Sequence, residues 1–219
     1  MSDVFDYAKY FIKQDLDTQN NTFDGNMKLQ KLLVLADLVS LAEFDKPLFD
    51  DAIYAFRQGC VIEKVRLRYR NDFFGFVEDS RNFNPDFTQD DYDVLGLTTA
   101  IFGSLSAREL SELNHSFAFW DDAYKKSIQN NGYKNKDASV VTVEAMRKEI
   151  DKIRDVIALY RETQSESDSK ETINGIDFYY SSDDISMTDE VVEELFTFSL
   201  LADDVAYSVY HDNGTLVIA

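Results

Sequence analysis

Asn26-Met27-Lys28-Leu29-Gln30-Lys31-Leu32-Leu33-Val34-Leu35-Ala36-Asp37 is the stretch on which the fold turns. Leu29, Leu32, Leu33 and Ala36 recur at helical spacing with Lys28, Lys31 and Asp37 beside them, which predicts an amphipathic helix packed into a core. Asn26 follows the breaker Asp24-Gly25 and stands where an N-cap belongs. The helix is predicted over about 27–43, ended by Phe44-Asp45-Lys46-Pro47. Before it, a short helix over about 3–13 turns Phe5, Ala8, Phe11 and Ile12 inward, with Ser2 as its cap and a polar loop at 17–25.

Working outward, only Pro47 and Pro85 interrupt the chain, so helices should dominate. A third helix is predicted over 50–57. From 60 to 77 the pattern loosens: Val61, Val65, Leu67 and Tyr69 alternate with Arg66, Arg68 and Arg70, giving either a strand or a helical turn followed by loop. The arginines read as a solvated face pairing with local carboxylates. Thr88-Gln89-Asp90-Asp91 opens a helix with acids in its first turn, facing Tyr92, Leu95, Thr99 and Phe102 inward. Ser106 and Glu109 form a capping box for a helix carrying Leu110, Leu113, Phe117 and Trp120. After a soft segment at 130–134, the apolar seam Val143, Met146, Ile150, Ile153, Ile157 and Tyr160 predicts one long helix over 143–163.

The segment 164–170 is a linker candidate, and beyond Lys170 there is neither Lys nor Arg. A strand at 173–180 and a helix at 189–202 capped by Thr188 follow. Two β-favouring runs at 205–210 and 215–218 flank Asp212-Asn213-Gly214, a hairpin signal. The fold class is therefore mostly α: a compact helical domain with a small acidic α+β C-terminal appendage containing a β-hairpin. The expected division is 1–135 for the helical domain, 136–170 for the long helix and linker, and 171–219 for the appendage.

Composition narrows the function. Across 219 residues, 44% are hydrophobic, enough to bury a core, and 17 Phe with 12 Tyr make that core aromatic. The net charge of -19 repels duplex DNA and anionic membrane, and attracts basic partner proteins. A single cysteine, Cys60, excludes an internal disulfide, and with His115 and His211 it cannot furnish a structural zinc site. The start of the chain lacks the basic and apolar regions of a secretory signal, and no run of about 18 apolar residues exists to span a bilayer. A cytoplasmic setting is expected.

Chemistry-bearing motifs are missing: there is no phosphate-binding glycine loop, zinc-protease motif or serine elbow. Gly103-Ser104-Leu105-Ser106-Ala107 lacks the second glycine of such an elbow, and Ser106 reads as a cap. Asp90-Asp91, Asp183-Asp184 and Asp203-Asp204 read as solvated surface and not as a cation site. His115, close to Trp120, reads as a structural histidine. No catalytic residue, metal ligand or cofactor is assigned.

Three blocks together resemble the Panacea antitoxin-domain family, which includes prophage-associated, SocA-like proteins. They are the stretch 26–37, the segment from Leu48-Phe49 to Ala55-Phe56-Arg57-Gln58-Gly59, and Leu105-Ser106 through Leu113 with Trp120 after it. Phe56 stands where the family has tryptophan, and Cys60 where proline follows the glycine. The resemblance implies a helical antitoxin that neutralises a separately encoded toxin by direct contact, in some relatives as an adaptor to a protease. It carries no catalytic residues. Lys28, Lys31, Asp37, Arg57, Gly59, His115 and Trp120 match its motif positions and are the expected partner-binding set. The expected partner is a protein toxin or another basic protein, with no direct nucleic-acid contact. The competing reading is an anti-defence protein or DNA mimic whose acidic surface, base-free beyond Lys170, blocks a nucleic-acid-binding enzyme.

Overall fold

Every residue from Lys28 to Leu41 is buried, so the central helix is enclosed on all sides and is not amphipathic. This α2 spans Phe23–Phe44, with Thr22 as the N-cap accepting from the Gly25 amide, in place of the expected Asn26. Asp24 and Gly25 lie inside its first turn. The helix ends at Asp45, whose left-handed φ of 56° releases the chain toward Pro47. Its polar side chains are internal, so each needs an internal partner.

The computed structural model describes residues 3–18, 20–128, 134–165, 169–212 and 214–219. The expected Ser2 cap, most of the soft segment at 130–134, the middle of the 164–170 linker and Asn213 lie outside them. The described residues fall into two compact units, Met1–Ile157 and Ala158–Ala219.

In the first unit, α1 (Val4–Lys13) is capped by Asp3 and packs on α2 and on α4 (Phe73–Arg81). The expected helix at 50–57 is instead a hairpin, β1 (Ile53–Phe56) paired antiparallel with β2 (Gly59–Ile62) around Arg57-Gln58. Ile53, Val61 and Ile62 are β-branched and Tyr54 and Phe56 aromatic, and burial of the whole of β2 hides the alternation that would have announced a strand there. A short β3 (Val140–Val141) adds to the other edge of β1. The loosely patterned segment after Cys60 forms α3 (Glu63–Asn71) and then α4. Arg66 and Arg70 therefore share one helical face, while Arg68 bridges Asp72 at 3.0 Å and Asp79 at 2.8 Å.

Thr88 and Ser106 cap α5 (Gln89–Phe102) and α6 (Ala107–His115), both with reciprocal capping boxes. The buried face of α5 is Val94, Leu95, Thr98 and Phe102; Tyr92 is exposed and Thr99 half-buried, one position off the expectation. The helix expected to run on to Trp120 breaks at Ser116-Phe117, where α7 (Ala118–Ser127) starts. The long seam is likewise two helices, α8 (Val143–Arg147) and α9 (Ile150–Ser165), and Met146, Ile150, Ile153 and Ile157 join the core of the first unit. Among the described residues no helix is long and apolar enough to cross a membrane.

The second unit holds a four-stranded sheet in the order β4 (Ser169–Ile173), β5 (Ile176–Tyr180), β6 (Ala206–Asp212), β7 (Thr215–Ile218). The single strand expected at 173–180 is really a hairpin turning at Asn174-Gly175, both at positive φ. Its parallel neighbour β6 is reached through α10 (Asp189–Ser199), capped by Thr188 as expected. The hairpin of β6 and β7 also follows the sequence. Ile176, Phe178, Tyr180, Ile185, Leu195 and Val209 form its separate core.

Candidate functional site

The Arg57-Gln58 tip of the first hairpin is held by side chains from three helices. The Trp120 indole Nε1 donates to the Phe56 carbonyl at 2.8 Å. His115 is hydrogen-bonded to the Arg57 backbone, and Ser111 Oγ donates to the Gln58 carbonyl at 3.1 Å. Lys31 Nζ donates to the Cys60 carbonyl at 2.9 Å, and Asn114 Oδ1 accepts from the Cys60 amide at 2.6 Å. Gln30 Oε1 accepts from the Ile62 amide at 2.8 Å, while its Nε2 donates to Asn26. Helix α2 thus grips one side of the turn, and α6 with α7 the other. Burying backbone groups without these partners would cost about 1–3 kcal/mol each.

Gly59 is the joint. Its φ of +96° suits glycine, and a Cβ there would lie 2.6 Å from Asn114 Oδ1 and 2.8 Å from Lys31 Cε. The family position therefore needs glycine for both conformation and space. Lys31, fully buried, has its pKa lowered to about 8 by desolvation. The same burial pushes the Cys60 thiol up to about 12, which makes it inert. Desolvation, then the neighbouring Lys31, also lowers the His115 pKa, so the imidazole is neutral at pH 7 and lies against Trp120 with ring centroids 4.1 Å apart.

Three further internal ionisable side chains brace the same body. Asp37 Oδ1 accepts from the Leu48 amide at 2.7 Å and the carboxylate is also bonded to the Phe49 amide, yet burial raises its pKa to about 7. Lys28 Nζ donates to the Gly103 carbonyl at 2.8 Å and to Thr18 at 3.2 Å, and burial lowers its pKa. Asp17, bonded to the Tyr69 hydroxyl at 2.6 Å, has its pKa raised by desolvation.

Of the seven expected partner-binding residues, then, Lys28, Lys31, Asp37 and Gly59 are buried, and His115 and Trp120 are half-buried against the turn. Arg57 alone is exposed, next to exposed Gln58. The structure brings Lys31, Arg57, Gly59, His115 and Trp120 to one turn, with Lys28 and Asp37 elsewhere along α2. Reading the sequence missed Gln30, Ser111 and Asn114, which do equivalent work. Gln30 and Asn114 adjoin motif residues, but only the hairpin gives them a target.

Beside the turn opens a groove of about 740 Å³. Its cations are Lys31, Arg57, Arg66, Arg70, Lys134 and Lys136, and no Asp or Glu is among its lining residues. Phe23, Phe56, Tyr69 and Tyr124 supply aromatic walls. Among the described residues there is no group of three or more His, Cys, Asp or Glu placed to hold a metal ion.

Compared with known proteins, residues 29–121 match the family model described as antitoxin SocA-like, Panacea domain. No curated protein and no solved structure matches the chain. The matched span begins within α2, runs through the hairpin, and ends just after Trp120, so it encloses both jaws of the clamp. Residues 29–121, all within the first unit, are thus similar to the SocA-like antitoxin Panacea domain.

Proposed function

We propose that the protein is an antitoxin that binds and neutralises a separately encoded protein toxin, the contact centred on the Arg57-Gln58 tip, and that it acts in the cytoplasm without turning over a substrate. One observation carries this reading: within the matched family span, the motif side chains Lys31, His115 and Trp120 are engaged in fixing a two-residue tip whose own side chains are exposed. A rigid, pre-placed loop loses little entropy on docking, which suits high-affinity capture. Arg57 gives the tip a planar, multidentate donor of the kind enriched at interface hot spots. Delivery of the bound toxin to a protease is an extension of the same reading.

The test is co-expression with the product of the adjacent gene. Growth arrest by that product, relieved by this protein and restored by Arg57→Glu, is the expected result. Harmless neighbours on both sides would contradict it.

A second reading, blockade of a nucleic-acid-binding enzyme by a phosphate-mimicking surface, is favoured by the base-free stretch beyond Lys170, in which Val192, Phe196 and Leu200 are also exposed along α10. That reading requires inhibition to vanish when residues 171–219 are removed, and inhibition retained by the shortened chain would exclude it.

A further inference from the structure

The groove beside the clamp has the opposite electrostatic character to the chain that contains it. Net charge is -19, yet six cations and no carboxylates line this one concavity. One of the six is already answered, since Glu63 pairs with Lys136; the same carboxylate comes no nearer than 3.6 Å to Arg66, at Nη2. Among the described residues no carboxylate lies within ion-pair distance of Arg57, Arg70 or Lys134. The Nε of Arg66 is buried and has no hydrogen-bond acceptor. A cationic site left under-neutralised in an acidic protein, with a buried donor unsatisfied, points to an anionic ligand.

The walls narrow the class. Phe23, on the first turn of α2, is 67% exposed, and its ring, with those of Phe56, Tyr69 and Tyr124, faces the same space. Of these rings Phe23 is exposed and Phe56 and Tyr124 are half-buried, and aromatic rings beside arginines recognise a planar, apolar ring joined to a phosphate. Arg66 and Arg70 stand one turn apart on α3, a spacing that lets both guanidinium groups reach one phosphate chain. The volume of about 740 Å³ falls in the range of small-ligand sites. A long polyanion fits less well, because beyond a Debye length of about 8 Å it would meet the field of the acidic remainder. An extended acidic peptide meets the same obstacle.

We propose that this groove is a binding site for a free nucleotide, with its base on the aromatic walls and its phosphates on Arg66 and Arg70. The proposal does not rest on the toxin reading, since it needs no partner protein, and the two share only the tip residues Arg57 and Gln58 at the groove's edge.

Isothermal titration of the full chain with ATP and with GTP tests this, with adenosine and inorganic pyrophosphate as the separate halves of the ligand. The expected result is saturable one-site binding of a nucleotide with Kd below about 100 μM, each half binding at least about tenfold more weakly. Arg70→Glu should weaken the nucleotide at least about tenfold. Arg108→Glu, the same charge change on exposed α6, should leave it unaltered. Because Arg70 is exposed at the surface of α3, circular dichroism of the variant should match the parent, and Arg57→Gln provides a milder second test. The proposal is overturned if neither nucleotide saturates by about 1 mM, if Arg70→Glu binds as the parent does, or if an oligouridine or a Glu-rich peptide binds more tightly than both nucleotides.

Discussion

The two units solve the problem of stability differently. The first buries Asp17, Lys28, Lys31 and Asp37 and must find an internal partner for each, whereas the only polar residue buried in the described part of the second is Ser199. An all-apolar core is the cheaper construction, since a buried charge tolerates few neighbours and pays desolvation even when bonded. The second unit therefore resembles a small fold assembled from hydrophobic pattern and turn chemistry alone. The first accepts costly groups and places two of its most polar clusters around one hairpin. What the difference teaches is where geometry has been specified beyond the needs of folding: at the turn Phe56–Cys60, gripped by Lys31, Ser111, Asn114, His115 and Trp120.

That contrast breaks most visibly at Gly59. Gly59→Ala forces a left-handed backbone onto a residue with a Cβ and drives that atom into Asn114 and Lys31. A loss of about 3 kcal/mol or more is expected in urea unfolding, along with loss of partner binding. The matching change at the second hairpin, Gly175→Ala, meets no atom within 4 Å and should cost only the φ strain, about 1 kcal/mol. Equal losses at the two glycines would erase the distinction.

Asp37 sharpens it through pH. Its folded pKa is raised to about 7 from a usual value of 3.8, so between these pH values the folded state keeps a proton that the unfolded state has released. Stability from this group is fully present below about pH 4 and falls as pH rises through 7. Asp37→Asn keeps the acceptor for the Leu48 amide and removes that slope, so relative to the parent it should gain about 1–3 kcal/mol between pH 5 and pH 8. Lys31 acts in a higher window: its folded pKa of about 8 lies below the ordinary 10.5, so its burden is full below pH 8 and relieved as pH climbs toward 10.5. The Asp37→Asn comparison therefore belongs below pH 8. No buried Asp, Glu, His, Lys or Arg stands in the described core of the second unit, and no such slope is expected from it.

The smallest effect is at Thr188, whose hydroxyl accepts from the Val191 amide. Thr188→Ala should lower the stability of the second unit by about 1 kcal/mol and leave hydrogen exchange of the Ile53–Ile62 hairpin amides unaltered. Faster exchange in that hairpin would show that the units are not separate in stability.

The same contrast explains what was legible. The helix start at Thr88, the capping box at Ser106, the Thr188 cap and the Gly214 hairpin are local chemistry, and the sequence displays them openly. The helix expected at 50–57 covers β1, whose four residues are too few to separate a period of two from a helical turn, and the fully buried β2 shows no period of two. The central helix was read as amphipathic because Lys28, Lys31 and Asp37 look like a solvent face until their partners at Gly103, Cys60 and Leu48 are known. Gly103 and Cys60 lie far along the chain from the two lysines, beyond any short window of sequence, and Leu48 is separated from Asp37 by the end of the helix. Family motif positions pick out Lys31, Gly59, His115 and Trp120 around the turn, but a motif position does not tell a buried side chain from an exposed one. Only the fold does that, leaving Arg57 outside and the others within.

The central claim is that the clamp exists to present the tip. Its most direct test measures binding of the adjacent-gene toxin by the double variant Arg57→Glu/Gln58→Glu alongside its urea midpoint, with Arg108→Glu as a charge control. The account predicts loss of affinity by at least about a hundredfold with the midpoint unmoved, since both side chains are exposed. Undiminished toxin binding by the double variant would contradict it.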